Sequence, residues 1–230
     1  HAFESMSMRP TDALPDEPEQ ETEVPAPSPM ALGGIVVRND ARGSASAGII
    51  RSDVEANDVS LSVSDEGVVK ALLNAEAVAS GADGEGMAAG GIIATNLILG
   101  DSVVLIQDSE IEASGDVLVS AVNSQHVDSR NRSAVSGGDT AVSGTLAFNT
   151  IGYDATNVLA QTADALAGSS FATANPSDTS ARIEGSQIIA GGGLQVIAAS
   201  DAYIHANVDN DAVSSSGDGV AAGFVLSSNF

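Results

Sequence analysis

The residues of this sequence that are best suited to chemistry are carboxylates arranged in short sets. The sets are Asp53, Glu55 and Asp58; Glu110, Glu112 and Asp116; and Asp209, Asp211 and Asp218. Carboxylates two positions apart on a strand share a face, and their hard oxygen atoms are ligands that Ca²⁺ prefers. Paired carboxylates can also act as general acid and general base. A third interpretation is that these groups form a solvated outer face.

No other constellation predicts catalysis, so we expect a protein that is not an enzyme. The first acidic set recurs in the second, whereas a catalytic site is normally a unique constellation. The histidines His126 and His205 do not fall on equivalent repeat positions, and there is no Gly-x-Ser-x-Gly nucleophile motif. The only cofactor that the residues suggest is Ca²⁺, with Asp209, Asp211 and Asp218 as its candidate ligands.

Charge and composition exclude several classes of partner. The 230 residues include 31 acidic and 8 basic side chains, for a net charge of -23, and no Cys. Phosphate backbones and anionic lipids would repel such a chain. The longest uncharged apolar stretch, residues 86–100, is shorter than the roughly 20 residues that span a membrane. We therefore predict no nucleic-acid partner and no membrane span.

The N-terminal part of the chain, 1–29, differs in composition from the rest. It holds six of the seven prolines, together with an acidic run from Asp12 to Glu23 that contains no basic residue. Such a segment buries too little apolar surface to offset the entropy of ordering it. The composition predicts an extended or disordered acidic tail or linker.

From Met30 onward the sequence repeats itself. Met30–Asn39 returns as Met87–Asn96 at an offset of 57, and Ser52–Ala56 returns as Ser109–Ala113 at the same offset. A third copy follows at a larger offset of 77, where Gly115–Ala121 is matched by residues 192–198. We interpret residues 30–230 as one repeat region, with units near 30–86, 87–143 and 144–230.

The local pattern of these repeats favours strands. Val59–Val63 and Val117–Ala121 alternate with a period of two, and turn-forming residues separate such runs. Because 57 is three times 19, the offset predicts an all-β solenoid with turns of about 19–20 residues, the longer unit holding one additional turn. A helical alternative stays open for Val68–Val78 and Asn157–Ala167, whose composition also suits a helix.

Asn39, Asn96 and Asn229 close the Gly-rich motif in three of its copies. Asparagines stacked on neighbouring strands can share side-chain hydrogen bonds from one strand to the next. We therefore predict a structural role for these three residues.

The repeat region resembles a known class of proteins. Segments such as Ser109–Ala121, SEIEASGDVLVSA, with their Gly-Gly and uncharged Gly-to-Asn stretches, are similar to repeats of giant secreted bacterial adhesins of the filamentous-haemagglutinin-like and leukotoxin-like kinds. The resemblance covers residues 30–230. It implies a right-handed parallel β-helix and an extracellular or cell-surface location.

The leading hypothesis is a non-enzymatic β-solenoid segment of a large surface adhesin or filament. It would act as a rigid spacer and interaction surface, stacked end to end on other copies or flanking repeats and contacting surface glycans or proteins. Two alternatives remain. One is a carbohydrate-active β-helix enzyme, a polysaccharide lyase or hydrolase, and the other is a stacking subunit of a larger assembly.

Overall fold

A computed structural model describes residues 28–81, 85–152 and 177–229. Throughout these residues the chain is all-β, as predicted, and every strand pair is parallel. Most of the predicted tail lies outside the described residues, as does Asn157–Ala167, the segment for which a helix stayed open as an alternative. The strands are β1 (Met30–Ile50), β2 (Asp53–Ala56), β3 (Val59–Val78), β4 (Met87–Gln107), β5 (Glu110–Ala113), β6 (Val117–Gly137), β7 (Thr140–Ile151), β8 (Thr179–Glu184), β9 (Gln187–Ala190), β10 (Leu194–Ser214) and β11 (Val220–Asn229).

The strands form three parallel sheets that the chain visits in turn. Sheet A has the order β1-β4-β7-β11, with β8 also pairing with β4, sheet B the order β2-β5-β9, and sheet C the order β10-β6-β3. We call one passage through the three sheets a level. The first level is β1 to β3, the second is β4 to β6 and the third is β7 to β10, while β11 begins a fourth level in sheet A.

The register shows that one level takes the whole repeat. Met30 pairs with Met87 and Asp53 with Glu110, each at the offset of 57 that the sequence repeat has. The predicted short turns, about 19–20 residues each, are therefore wrong, since Val59 and Val78, which suggested that spacing, are the two ends of one strand, β3. The offset indicated the length of the repeat but not the number of strands in it, and the two long strands of the first and second levels contain 20 or 21 residues.

The longer repeat contains an insertion and not an additional turn. β4 pairs with β7 at an offset of 53 (Met87 with Thr140) and with β8 at an offset of 77 (Ser102 with Thr179). β7 and β8 are thus two halves of one rung of sheet A, and the additional residues enter between them. The predicted unit boundary after residue 86 falls between β3 and β4, whereas the boundary after residue 143 falls inside β7.

The segment Val68–Val78, whose composition also suits a helix, belongs to strand β3. Its burial alternates along the strand, because every second side chain, such as Val69, Leu73 and Ala77, points at sheet A. This packing across the sheets outweighs the local helix propensity of Ala and Leu.

The interior between the sheets has two parts of different composition. Where sheets A, B and C meet, nine aliphatic residues form what we call the three-sheet core: Val59, Val63, Val104, Ile106, Ile111, Ala113, Val117, Val119 and Ala121. Further along, sheets A and C face each other without sheet B. This two-sheet region buries smaller side chains in three clusters around Ala88, Ile92 and Ile98. It also buries polar side chains: Asn96, Ser129, Asn131, Ser133, Ser143, Thr145 and Asn149.

Candidate functional site

An asparagine ladder runs through β1, β4, β7 and β11 of sheet A in the two-sheet region. Asn39 Nδ2 donates to Asn96 Oδ1 at 2.7 Å, Asn96 Nδ2 donates to Asn149 Oδ1 at 2.7 Å, and Asn149 Nδ2 donates to Asn229 Oδ1 at 2.8 Å. The structure therefore brings Asn39, Asn96 and Asn229 into one column. It adds Asn149, which was not predicted from the sequence although it pairs in register with Asn96 and occupies the same position of its own strand.

The ladder is also tied to the facing sheet. The Asn96 side chain is fully buried, and its Nδ2 makes a second hydrogen bond of 3.2 Å to Ser129 Oγ on β6. Asn131 Nδ2 donates to the same hydroxyl at 3.0 Å. Each amide donor therefore has an acceptor at one relative position of the strands, so the ladder selects the register of sheet A and its alignment with sheet C.

A serine ladder holds the corner between sheets A and B. The backbone N–H of Ser52 donates to Ser109 Oγ, and that of Ser109 donates to Ser186 Oγ, both at 3.1 Å. Immediately before these serines lie Arg51, Asp108 and Gly185, with φ angles of 49°, 48° and 56°, so the same left-handed corner recurs at every level. The matching segment Ser186–Ala190 was not recognised in the sequence as a third copy of Ser52–Ala56.

Two of the candidate carboxylates hold the corner between sheets B and C. Asp58 Oδ1 accepts the backbone N–H of Asp116 at 2.8 Å, and Asp116 Oδ1 accepts the backbone N–H of Gly193 at 2.7 Å. Each carboxylate thus joins its own level to the next one. These contacts give Asp58 and Asp116 a structural role in the turns.

The other carboxylates of the first two sets form an acidic grid on the outer face of sheet B. Asp53 pairs in register with Glu110, and Glu55 with Glu112, and all four are exposed. Glu55 and Glu112 line a shallow concavity of about 620 Å³. The grid ends at the third level, where Gln187 and Ile189 occupy the equivalent positions.

The three residues predicted as Ca²⁺ ligands lie at the last level of the stack. Asp209 and Asp211 are exposed on β10, and Asp218 is exposed in the turn before β11. Asp209 Oδ2 lies 3.9 Å from Arg132 Nε on the neighbouring strand β6. Among the described residues, no group of three or more His, Cys, Asp or Glu side chains is arranged to hold a metal ion.

The two internal histidines lie on the outer face of sheet C. His126 contacts Tyr203 edge to face, with the ring centroids 4.8 Å apart and the ring planes at 75°. Tyr203 occupies the position paired with His126 in register, and His205 the position paired with Asp128. His126 therefore has a packing partner on the next strand.

An ion cluster lies on the outer side of the edge strand β1. Asp40 accepts hydrogen bonds from Arg38 Nη2 at 2.6 Å and from Arg42 Nε at 2.8 Å. The hydrogen bond from Arg42 in particular, aided by the one from Arg38, holds the pKa of the Asp40 carboxyl below its ordinary value, although partial burial acts in the opposite direction. The same contact raises the pKa of Arg42.

No protein family, characterised protein or solved structure matched the chain. No helix long and apolar enough to cross a membrane occurs in the described part of the chain. The function must therefore be inferred from the ladders, the corners and the outer faces of the sheets.

Proposed function

We propose that the chain is a non-enzymatic structural segment, a right-handed parallel β-solenoid of the kind that builds large extracellular adhesins and filaments. The observation that carries the proposal is the four-membered asparagine ladder, which runs through sheet A from β1 to β11. Its column repeats one structural position at every level, as a stacked spacer requires. The right hand follows from the strong preference of parallel crossover connections.

The mechanical part of the proposal rests on hydrogen bonding between levels. Long strands such as β1, β4, β6 and β10 pair in register along their whole length, so each level is joined to the next by many backbone hydrogen bonds. The corner ladders through Ser109 and Asp116 add side-chain bonds between the same levels. A load along the stack must separate these bonds one level at a time.

The outer faces are suited to contact with solvent and surface ligands. Asp53, Glu55, Glu110 and Glu112 face outward on sheet B, where like charges on separate molecules oppose sheet-to-sheet aggregation. We propose that this acidic exterior keeps neighbouring segments apart at an extracellular or cell surface, and that glycans or proteins contact the exposed faces.

Single-molecule force spectroscopy tests the proposal, with handles attached at residues 30 and 229. We expect discrete unfolding events whose contour lengths correspond to single extended levels of 57, 53 and 80 residues, about 190–205, 175–190 and 265–290 Å at roughly 3.3–3.6 Å per residue. The Asn96→Ala variant should unfold at a lower force because it interrupts the ladder. A featureless extension without discrete events would contradict the spacer role.

The acidic concavity on sheet B is the observation that favours the alternative of a carbohydrate-active lyase or hydrolase. A screen against acidic and neutral polysaccharides tests it, using the wild-type chain, a Glu55→Gln/Glu112→Gln variant, and a variant with Asp209, Asp211 and Asp218 changed to Asn. We expect no turnover by any of the three proteins. An activity of the wild type that either variant loses would replace the structural proposal.

A further inference from the structure

The outer side of sheet A carries an uncharged apolar surface. Alternate residues of β1, β4, β7 and β11 point away from sheet C, because the residues between them pack into the interior. In the half of the sheet that begins at Met30, the outward residues, which we call the apolar face, are Met30, Leu32, Gly34 and Val36 of β1; Met87, Ala89, Gly91 and Ile93 of β4; Thr140, Val142, Gly144 and Leu146 of β7; and Val220, Ala222, Phe224 and Leu226 of β11. None of them is charged, and only Thr140 is polar.

The exposure of the apolar face does not come from an open edge of the sheet. Met87 is 48% exposed and Val142 is 38% exposed, although β4 and β7 each pair with a strand on both sides. Further along the same side of the sheet, Leu97 and Phe148 are buried in a cluster of their own. Monomeric soluble proteins rarely expose a contiguous apolar surface of this extent, so the apolar face is a candidate for an interface.

The relief of the apolar face is complementary to itself. Residues that pair in register form rows across the four strands. The row that contains Gly34 and Gly91 has no side chains, and it lies between the row of Leu32 and the row of Val36. This trough is filled only near β7, where a Cβ on Gly144 would overlap the ring of Phe224. A trough beside a ridge can accept the ridge of an identical face.

A two-fold axis parallel to the stack of levels brings two such faces together back to back. The axis lies midway between the row of Leu32 and the glycine row, and it reverses the strand direction. The row of Leu32 then fills the glycine trough of the second copy, and the row of Met30 faces the second copy's row of Val36. All four rows find a counterpart within the apolar face, as an isologous contact requires. The two sheets would pack face to face with their strands aligned, which is a common arrangement of β-sheets.

The size and the charge of the apolar face favour a second copy as the occupant. Four rows on four strands, at about 4.8 Å between strands and about 6.7 Å between rows, cover about 500 Å². Two copies therefore bury about 1,000 Å², the size at which specific interfaces begin. The charged residues Arg38 and Asp40 lie only at the border, as in interfaces whose centre is depleted of charge. Because each copy has a net charge of -23, an uncharged face is where two copies can approach.

We propose that the apolar face binds the apolar face of a second copy, so that two stacks lie back to back and run in the same direction. This inference goes beyond the proposed function, because the contact requires the stacked sheets but no mechanical role. The acidic outer faces of sheet B stay in solvent, and the two-fold contact closes after two copies. Salt that screens the net charge of the two copies should strengthen the association.

Two lysine variants on opposite sides of the molecule test the proposal by analytical ultracentrifugation. Val142→Lys places a charge in the apolar face, and the matched control Val68→Lys places one on the outer side of sheet C, where Val68 is 49% exposed. We expect a monomer–dimer equilibrium for the wild type and for Val68→Lys, and loss of the dimer in Val142→Lys. A wild type that stays monomeric at every concentration would overturn the proposal, as would a dimer that Val142→Lys keeps or that Val68→Lys loses.

Hydrogen exchange on the same samples separates this inference from the proposed function. Protected amides in β4 and β6 of Val142→Lys would show that the stacked sheets are intact, so that loss of the dimer reports the contact and not unfolding. A wild-type monomer with the same protection would overturn the pairing alone. The spacer role is measured on single molecules under force and does not depend on that result.

Chemical cross-linking tests the orientation without adding a charge, since the chain has no Cys. In the proposed pair, Met87 faces the second copy's Ile93. A bismaleimide that reaches about 10 Å, the distance between packed sheets, should therefore link Met87→Cys to Ile93→Cys in a mixture of the two variants. Each variant by itself should link poorly, because identical positions lie about 20 Å apart along the strands. Efficient linking of Met87→Cys to itself would overturn the orientation.

Maleimide labelling of Met87→Cys distinguishes the other occupants if the wild type is monomeric. Slow labelling of the monomer would assign the apolar face to another segment of the same chain. Rapid labelling would leave the face to a different molecule. Either result would overturn the pairing of two copies.

Discussion

The three-sheet core and the two-sheet region show that, within one repeat, some residues supply stability and others select the strand register. The three-sheet core buries only aliphatic side chains, including Ile106 and Ile111, which are fully buried. Burial of each such side chain contributes about 1.5–3 kcal/mol. A shift of one strand by two positions would still place aliphatic groups against aliphatic groups there. The core therefore supplies stability but discriminates weakly between registers.

The two-sheet region discriminates strongly between registers because it buries polar groups. A shift by two positions would leave Asn96 and Asn149 without partners, at about 1–3 kcal/mol for each unsatisfied group. A shift by one position would turn every inward side chain outward. Long strands with small, similar side chains therefore need buried polar side chains, whose hydrogen bonds form in one alignment only.

The largest effect is expected in the three-sheet core. Ile111→Ala removes a fully buried side chain in the central strand of sheet B and should lower the free energy of unfolding by about 2–5 kcal/mol, measured by urea denaturation. Its control is Ile189→Ala, because Ile189 is 47% exposed on the adjacent strand β9 and should lose less than about 0.5 kcal/mol. Equal losses would mean that the three-sheet core is not the main source of stability.

Interruption of the ladder should lower the free energy of unfolding less than the core substitution does, but it should weaken the selection of the strand register more. Asn96→Ala leaves Asn39 Nδ2 and Asn149 Oδ1 unpaired and should lower the free energy of unfolding by about 1–3 kcal/mol in urea denaturation. The control, Asn229→Ala, removes the exposed end of the ladder and should have a smaller effect.

Replacement of all four ladder asparagines by Val separates the ladder's contribution to stability from its selection of the strand register. Because both partners of each hydrogen bond within the ladder are removed and Ser129 Oγ keeps Asn131 Nδ2 as a donor, stability should change little, whereas the register should become mixed. A disulfide between Ser46→Cys and Val103→Cys reports the register, since these positions pair and the chain has no other Cys. Efficient cross-linking in the Val variant, equal to that in the wild-type background, would show that the ladder does not select the register.

The close approach of strands in the two-sheet region can be tested at a pair of equivalent glycines. A Cβ on Gly91 would overlap the carbonyl oxygen of Gly144 on β7, whereas a Cβ on Gly34 would lie 3.6 Å from the carbonyl oxygen of Gly91. We expect Gly91→Ala to lower the free energy of unfolding by about 1–3 kcal/mol, and Gly34→Ala to be tolerated. Comparable thermal midpoints for the two variants would contradict this account of the spacing.

The smallest effect is expected outside both parts of the interior, at Asp40. Because Arg42 and Arg38 lower its pKa in the folded protein, the contribution of the Asp40 carboxylate is present above its ordinary pKa of about 4 and is lost as the pH falls through the lower folded value. Asp40→Asn should lower stability by no more than about 1 kcal/mol at neutral pH. Urea midpoints of the wild type and the variant should converge at low pH and at high salt, and a difference that persists in acid would show that charge is not its cause.

The sequence by itself determined the periodic architecture, the strand character and three members of the asparagine ladder. Repetition of Met30–Asn39 at residues 87–96 identifies the pairing of β1 with β4, because equal segments of a repeat occupy equal positions in neighbouring levels. Alternation along Val59–Val63 indicates the inward face, and the recurrent Asn at the end of the motif marks the ladder. These features are local or strictly periodic, so they can be read without the fold.

Only the tertiary structure decided how much of the chain makes a level and what the repeated carboxylates do. The offset of 57 is compatible with three short turns or one long level, and the choice depends on the packing of β3 against sheet A, which no local pattern contains. Asp58 and Asp116 belong to the same repeated carboxylate sets as Asp53 in the sequence, but their position at a corner makes them acceptors for backbone N–H groups of the next level. The number of strands in a level and the partner of a side chain are properties of residues far apart in sequence, which come together only when the sheets pack.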